Sequence, residues 1–185
     1  MCWIRQEVVY FHMKKSNYVP LLGQIEVACS ADQLWAIISR PANLNECHPF
    51  CAQNSVMHWG DKDSRDLIEY YNGLKLERHF MTWDEENRSY SLEIKRKKWL
   101  YAKVYWTVSS LGENKSSLSI QIHSFPDIAL GRYPKWIRPL LSRLYFLPKM
   151  NHYVKAVVKG FKYHAETGDL VKKNQFGYNS MFSTK

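Results

Sequence analysis

The chain has 185 residues and a net charge of +9, and 45% of its residues are hydrophobic. This length fits one domain of ordinary size, and the 7 Trp, 12 Tyr and 8 Phe exclude a disordered chain. No apolar run approaches the ~20 residues of a membrane-spanning helix. The positive charge favours anionic partners such as acidic lipid head groups, nucleic acid or an acidic ligand, and it serves solubility equally well.

Cysteine usage and the N-terminus bear on the compartment. The cysteines do not form the dense framework of a disulfide-rich secreted domain (Cys2, Cys29, Cys47 and Cys51). The N-terminus has no long apolar stretch of the kind that a secretory signal needs. We therefore expect reduced thiols in a cytoplasmic protein, with residues 1–21 as an N-terminal extension.

Regular patterning begins near Gly23. Residues 25–29 alternate between apolar and polar side chains, which predicts a strand. Ser30 lies three residues before Gln33, the spacing of a capping box, and this pair predicts the start of a helix. Pro41 ends that helix, and residues 41–47 predict a second short one.

From about Cys51 to Phe125 the hydrophobic period is two almost throughout. Asn72-Gly73 is a strong signal for a tight hairpin turn between two of the strands. Such a pattern is typical of an antiparallel meander with one buried face. The predicted strands fall near residues 56–59, 66–71, 74–83, 90–94, 100–108 and 118–122.

After this region the period becomes helical. Met150, Val154, Val157 and Phe161 recur on one face, and Gly168 predicts the C-terminal cap. The predicted order is therefore a strand, two short helices, six strands and one long helix, which is an α+β fold.

Several local segments resemble the START-like superfamily (SRPBCC, polyketide cyclase/dehydrase type). Residues 25–38 are similar to its first strand and helix, Asn43-Leu44 with His48-Pro49 to its second helix, and residues 160–168 to the end of its long helix; Arg40 departs from the acidic residue that many members carry. The resemblance implies a helix-grip domain over residues 22–170, with a curved antiparallel sheet of about seven strands around the C-terminal helix. Residues 126–148 would be an inserted basic and aromatic segment, and residues 171–185 a tail.

A helix-grip domain implies an apolar cavity between sheet and helix. Strand parity and helical spacing predict which side chains line it, and these are the candidate ligand-binding residues. They are Leu76, Arg78, Phe80, Leu92, Ile94, Val104, Trp106, Ile120, Ile122, Tyr153, Val157 and Phe161. A fully packed core without a ligand-sized space is the alternative.

Arg78 is the most informative polar residue in this set. The parity of its strand is ambiguous: either Leu76, Arg78 and Phe80 point inward, or Met81 and Trp83 do, together with Glu77 and His79. An inward Arg78 needs a carboxylate partner or an anionic ligand, because an unpaired buried charge is costly. Glu69, across the hairpin, is a candidate partner. An ordinary surface pair is the other interpretation.

No segment matches a known catalytic or cofactor motif. The sequence has no GxSxG, no phosphate-binding glycine loop and no HExxH, so we expect no cofactor and assign no catalytic residue. Residues 47–51 (CHPFC) carry metal-ligating residue types, but a zinc site needs a second cluster, and no metal is expected. His123 lies opposite the inward parity and is a base candidate only if its strand is bulged.

The inserted segment carries an apolar stripe beside basic residues. The stripe comprises Trp136, Ile137, Leu140, Leu141 and Leu144. It suits a lid over the cavity, contact with an anionic membrane, or simple packing into the core, and the sequence does not choose among these. Prolines at positions 134, 139 and 148 predict short pieces rather than a long helix.

Three functions follow. The first is binding or transfer of a hydrophobic small molecule or lipid in the cavity. The second is a cyclase/dehydrase-type enzyme that acts on an aromatic or polyketide-like substrate in the same cavity. The third is a basic surface module for membrane or nucleic acid, centred on residues 95–98 with Tyr101 and Tyr105 on the outer face. The sequence does not indicate an oligomeric state.

Overall fold

A computed structural model describes residues 18–185, so most of the predicted extension 1–21, including Cys2, lies outside the described residues. The chain forms seven strands and five α-helices within this range. The strands are β1 (Val19–Val27), β2 (Cys51–His58), β3 (Arg65–Tyr70), β4 (Lys75–Asp84), β5 (Ser89–Arg96), β6 (Trp99–Gly112) and β7 (Lys115–Ser124). The helices are α1 (Ala31–Ile38), α2 (Leu44–Cys47), α3 (Pro126–Ala129), α4 (Arg138–Leu141) and α5 (Leu147–Thr167).

The strands form one antiparallel sheet in the order β1-β7-β6-β5-β4-β3-β2. α5 lies across the sheet and packs mainly against β1, with α1 and α2 beside it. The predicted element order and the α+β helix-grip architecture are confirmed.

Local signals in the sequence explain where the elements begin and end. The Ser30 hydroxyl accepts the Gln33 backbone N–H, and the Gln33 side chain accepts the Ser30 N–H, so the predicted capping box starts α1. Gly73 adopts φ of 79° in the turn between β3 and β4, and Gly168 adopts φ of 77° at the end of α5. Both are left-handed positions that favour glycine.

Two glycines allow α5 to approach its neighbours closely. A Cβ on Gly160 would lie 2.1 Å from the carbonyl oxygen of Cys47 at the end of α2. A Cβ on Gly23 of β1 would lie 2.7 Å from Cγ2 of Val154. Because these two glycines have no side chain, α5 lies in close contact with α2 on one side and with β1 on the other.

The segment before α5 differs from the sequence prediction. The prolines do not break it into separate pieces: a 3₁₀ turn (Lys135–Ile137), α4, a π-helical turn (Ser142–Phe146) and α5 follow one another without a gap. Pro139 and Pro148 lie in the first turns of α4 and α5, where a missing N–H costs little. Phe146, the last residue of the π turn, is buried, although the three residues before it are exposed.

The tail packs on the domain. The Val171 N–H donates to the Glu46 carbonyl at 2.9 Å, and the Asn174 N–H donates to the Pro49 carbonyl at 2.9 Å. The Phe182 ring lies 4.3 Å from that of Tyr153. Among residues 18–185, no helix combines the length and the apolar character needed to span a membrane.

Candidate ligand-binding site

A cavity of about 630 Å³ lies between the concave face of the sheet, α5 and the segment before it. This volume is within the range of small-molecule sites. Most of the predicted lining residues do line it: Leu76, Arg78, Leu92, Ile94, Val104, Trp106, Ile120, Ile122, Tyr153 and Val157. The tail closes one side with Ser180, Met181 and Phe182.

Phe80 and Phe161 are buried but do not contribute to the cavity wall. The Phe80 ring packs against Trp59 at 5.0 Å and Tyr90 at 5.0 Å, and the Phe161 ring packs edge-on against Trp106 at 5.0 Å. Aromatic rings therefore fill one end of the space under α5, and the cavity is the part that they leave open.

The five residues of the predicted apolar stripe separate into three groups. Leu141 lines the cavity, and Ile137 is half-buried. Trp136, Leu140 and Leu144 are 81%, 56% and 68% exposed. Leu141 therefore contributes to the cavity wall, and Trp136, Leu140 and Leu144 form an exposed apolar patch on the same segment.

The parity of β4 is now resolved. Leu76, Arg78 and Phe80 face inward, and a bulge after Phe80 returns Trp83 to the inner side, where its ring stacks on Tyr90 at 5.5 Å. Met81 is exposed.

Arg78 is not a surface residue, and Glu69 is not its partner: Arg78 is 4% exposed and pairs with Asp66 of β3. Glu69 instead pairs with Lys75 at 2.9 Å. Asp66 is the partner because it lies directly opposite Arg78 where β3 pairs with β4.

The ion pair uses only part of the arginine. Nε of Arg78 donates to Oδ1 of Asp66 at 2.7 Å, and Nη2 donates to Oδ2. Asp66 has no exposed surface and is not part of the cavity wall, whereas Arg78 is. Nη1 has no hydrogen-bond partner among residues 18–185. The guanidinium is thus held by the neighbouring strand, and it has donors that the described residues do not use.

A hydrogen-bonded chain of three rings lies in the same wall. Nε2 of His48 is 3.1 Å from the Tyr153 hydroxyl, which is 3.0 Å from the Tyr70 hydroxyl. The Phe50 N–H donates to Nδ1 of His48 at 3.2 Å. Since Nδ1 accepts, the proton of the neutral ring is on Nε2.

Burial keeps all three groups uncharged. Burial first, and the charge of Arg78 second, lower the pKa of His48 to about 3. Burial raises the pKa of Tyr153 to about 12 and that of Tyr70 well above its usual value. The chain therefore holds three hydrogens, one on Nε2 and one on each hydroxyl, for two internal contacts. Whichever way the hydroxyls turn, one hydrogen is left to donate elsewhere.

The charged residues of the cavity wall are all arginines. Arg78, Arg96 and Arg132 line it, and among residues 18–185 no aspartate, glutamate or lysine does. Tyr101 also lines the cavity, contrary to its predicted place on the outer face, because a bulge between β5 and β6 shifts its parity. Tyr105 does lie outside, beside His123 at 5.1 Å.

The other sequence candidates are placed away from the cavity. His123 lies on the outer face of β7, where it stacks on Tyr18 at 4.1 Å. Cys47 and Cys51 are buried, and burial raises the pKa of each thiol to about 12, so both stay protonated. Among residues 18–185 no three His, Cys, Asp or Glu side chains converge as metal ligands.

Sequence reasoning missed His48 and Tyr70 as cavity residues. His48 belongs to the CHPFC segment, whose residue types indicated metal ligation rather than a cavity wall. Tyr70 ends the predicted strand 66–71, and its inward parity relative to Asp66 and Ile68 was readable. No local pattern in the sequence predicts that residues 180–182 line the cavity.

Neither protein-family models nor curated sequences match the chain. Solved structures do. An uncharacterised protein from Bacillus thuringiensis is 13% identical, with a TM-score of 0.57 over 80% of this chain and 98% of that one. Norcoclaurine synthase from Thalictrum flavum, as a point mutant with a transition-state analogue, is 16% identical, with a TM-score of 0.53 over 82% and 97%.

A third similar structure is the di-domain ARO/CYC protein BexL from the BE-7585A biosynthetic pathway. It is 14% identical, with a TM-score of 0.53 over 76% of this chain and 46% of that one. At these identities the likeness concerns the fold alone. The chain therefore shares the helix-grip fold of these solved structures, which is the fold that the local resemblance in the sequence implied.

Proposed function

We propose that the protein binds an apolar small molecule or lipid in the cavity and carries it. The observation that supports this most is the cavity itself, about 630 Å³ with a mainly apolar wall. Most of the side chains that strand parity and helical spacing predicted to line it do so, which supports a space that belongs to the fold rather than to a packing defect. Two structural neighbours are a synthase and an ARO/CYC protein, which fits a cavity used for small organic molecules.

The same wall favours binding over catalysis. A cyclase or dehydrase needs a group that takes up or releases a proton near neutral pH. His48 is a weak base with a pKa of about 3, and its Nδ1 is already occupied by the Phe50 N–H. No carboxylate lines the described part of the cavity. Enzyme action is therefore the second hypothesis, in which the Tyr70–Tyr153 pair would serve as a hydrogen-bond donor to a substrate oxygen.

The segment before α5 supports a route from a membrane. Trp136, Leu140 and Leu144 are exposed on it, and Leu141 and Tyr145 of the same segment line the cavity. Residues 128–150 contain five Lys or Arg and no Asp or Glu. Apolar side chains that can enter the head-group region, surrounded by positive charge, suit an anionic lipid surface. We propose that this patch docks on such a surface while the ligand passes the mouth.

The first test is native mass spectrometry of the purified protein, followed by denaturation and solvent extraction. The proposal predicts a stoichiometric apolar compound, or, for an empty protein, uptake of an apolar fluorescent probe at one site. An empty protein that takes up no probe would refute it. The basic surface would then become the leading hypothesis, with nucleic-acid affinity that falls steeply with salt as its signature.

A second test addresses membrane docking separately. Co-sedimentation with phosphatidylcholine vesicles, with and without phosphatidylserine, is measured for the wild type and for Trp136→Ser/Leu144→Ser. Neither residue lines the cavity, so probe binding is expected to be unchanged. Leu111→Ser, which removes an exposed leucine from β6 outside this patch, is the control. Wild-type sedimentation by the double variant would contradict docking through this patch.

A further inference from the structure

The arrangement of charge across the sheet bears on the kind of ligand. Asp66 on β3 is directly opposite Arg78 on β4, and Arg78 is directly opposite Ile94 on β5. Arg96 follows Ile94 by two residues and lines the same cavity. It is therefore the diagonal neighbour of Arg78, with the Cα atoms roughly 7–8 Å apart.

One carboxylate is paired with these two guanidinium groups, and it is bound to Arg78 alone. Asp66 is fully buried and lies outside the cavity wall, so it compensates the charge of Arg78 from the neighbouring strand. Arg96 has no ion-pair partner among residues 18–185. Arg78, through its unused Nη1, and Arg96 are the charged residues of this part of the wall. No acidic residue of the described chain lines the cavity beside them.

The ring chain leaves one donor hydrogen for the same space, beside the acceptor lone pairs of its hydroxyl oxygens. Nδ1 of His48 is used by a backbone N–H, and the one hydrogen left over on Tyr70 or Tyr153 needs an acceptor. A wall with unused donors and no unused carboxylate matches a ligand end that has acceptor oxygens and negative charge. The rest of the wall matches an apolar body.

From this we infer that the ligand is an amphiphile with one acidic head, a carboxylate or a phosphate, which sits between Arg78 and Arg96 while its apolar part fills the cavity. This inference rests on the proposed function. Arg78 is held in place by Asp66 before the ligand arrives, so little ordering is needed on binding. Arg96 is exposed, and its positive charge attracts the acidic head group as the ligand enters the cavity.

The test compares palmitic acid with methyl palmitate, which has the same chain without the charge, by displacement of an apolar fluorescent probe. The wild type is expected to bind the acid about tenfold to a hundredfold more tightly, as charge-assisted hydrogen bonds predict. A palmitoyl lysophosphatidic acid arm distinguishes a phosphate head from a free carboxylic acid. Tighter binding of either one than of the ester supports the inference and identifies the source.

Two variants locate the head group. Arg96→Gln removes an exposed charge without a buried partner and is expected to reduce the acid preference several-fold. Arg78→Leu/Asp66→Leu removes both members of the buried pair, so no lone charge is left inside, and is expected to abolish the preference while ester binding persists. Lys97→Gln, which removes one charge next to Arg96 but outside the cavity wall, is the control.

The outcomes separate the two proposals. Equal binding of acid and ester by the wild type would overturn the acidic-head inference and leave the apolar carrier intact. An acid preference that survives in both arginine variants would overturn the assignment to Arg78 and Arg96. Failure of every ligand and of the probe would overturn the proposed function itself.

Discussion

The His48 ring makes a quantitative prediction about acid stability. It is 4% exposed, and burial lowers its pKa to about 3, against 6.5 for the unfolded chain. Between these values the unfolded chain binds a proton that the folded chain does not, so stability falls as pH falls from 6.5 toward 3. At pH 5 the loss from this one group is about 2 kcal/mol relative to pH 8.

His48→Asn removes the titrating group and keeps an amide near the Phe50 N–H and the Tyr153 hydroxyl. Urea unfolding of both proteins at pH 8 and pH 5 isolates the effect, because the other acid-sensitive groups contribute equally to each. The variant should lose about 2 kcal/mol less than the wild type over this range. His58→Asn, at the exposed end of β2, is the control. Identical pH dependence in wild type and His48→Asn would refute the reasoning.

Other features of the fold give further expectations. Gly160→Ala should lower the free energy of unfolding by about 1–3 kcal/mol, because its Cβ would meet the Cys47 carbonyl at 2.1 Å, whereas Lys159→Ala should not; urea unfolding checks both. Phe182→Ala should cost about 3–5 kcal/mol in the same assay and raise probe capacity, since its ring forms part of the cavity wall. The Cys47 and Cys51 thiols should react with a disulfide reagent only after unfolding, because burial keeps them protonated; rapid labelling of Cys47 or Cys51 in the native protein, identified by peptide mapping, would contradict this.

Much of the cavity wall was predictable because strand parity is a local property. On β6 and β7, Val104, Trp106, Ile120 and Ile122 alternate with polar residues, so one face of each strand had to be buried. The register then follows, with Val104 opposite Ile122 and Trp106 opposite Ile120. Helical spacing is equally local, and it predicted the face of α5 that carries Val157.

Parity fails where a strand contains a bulge. The bulge after Phe80 brings Trp83 to the inner face, and the bulge beside Ile94 turns Tyr101 into the cavity. A bulge depends on the strain of a curved sheet rather than on a turn residue, and neither site contains glycine or proline. The proline prediction failed for a related reason: Pro139 marks the start of a helical turn, not the end of one.

Contacts between distant parts of the chain were the least predictable. His48 and Tyr153 are 105 positions apart, and Tyr70 and Tyr153 are 83 apart. Each hydrogen bond depends on how α5 is set against β3 and on where α2 ends, which local patterning does not determine. The sequence favoured Glu69 rather than Asp66 as the partner of Arg78. The hairpin signal alone does not determine the register between β3 and β4, and the partner depends on that register.

The polar groups of the cavity wall favour a ligand with acceptor oxygens. Arg78 and the Tyr70–Tyr153 pair have hydrogens that the described chain does not use, and covering them with apolar groups alone would leave those donors unsatisfied at a cost of about 1–3 kcal/mol each. The aromatic rings around Tyr90 and Trp106 fill the other end of the core, where the Tyr90 hydroxyl is also buried without a hydrogen-bond partner among residues 18–185. Tyr90 does not line the cavity, whereas Arg78, Tyr70 and Tyr153 do, so an acceptor-bearing apolar ligand in the cavity satisfies the donors of these three residues.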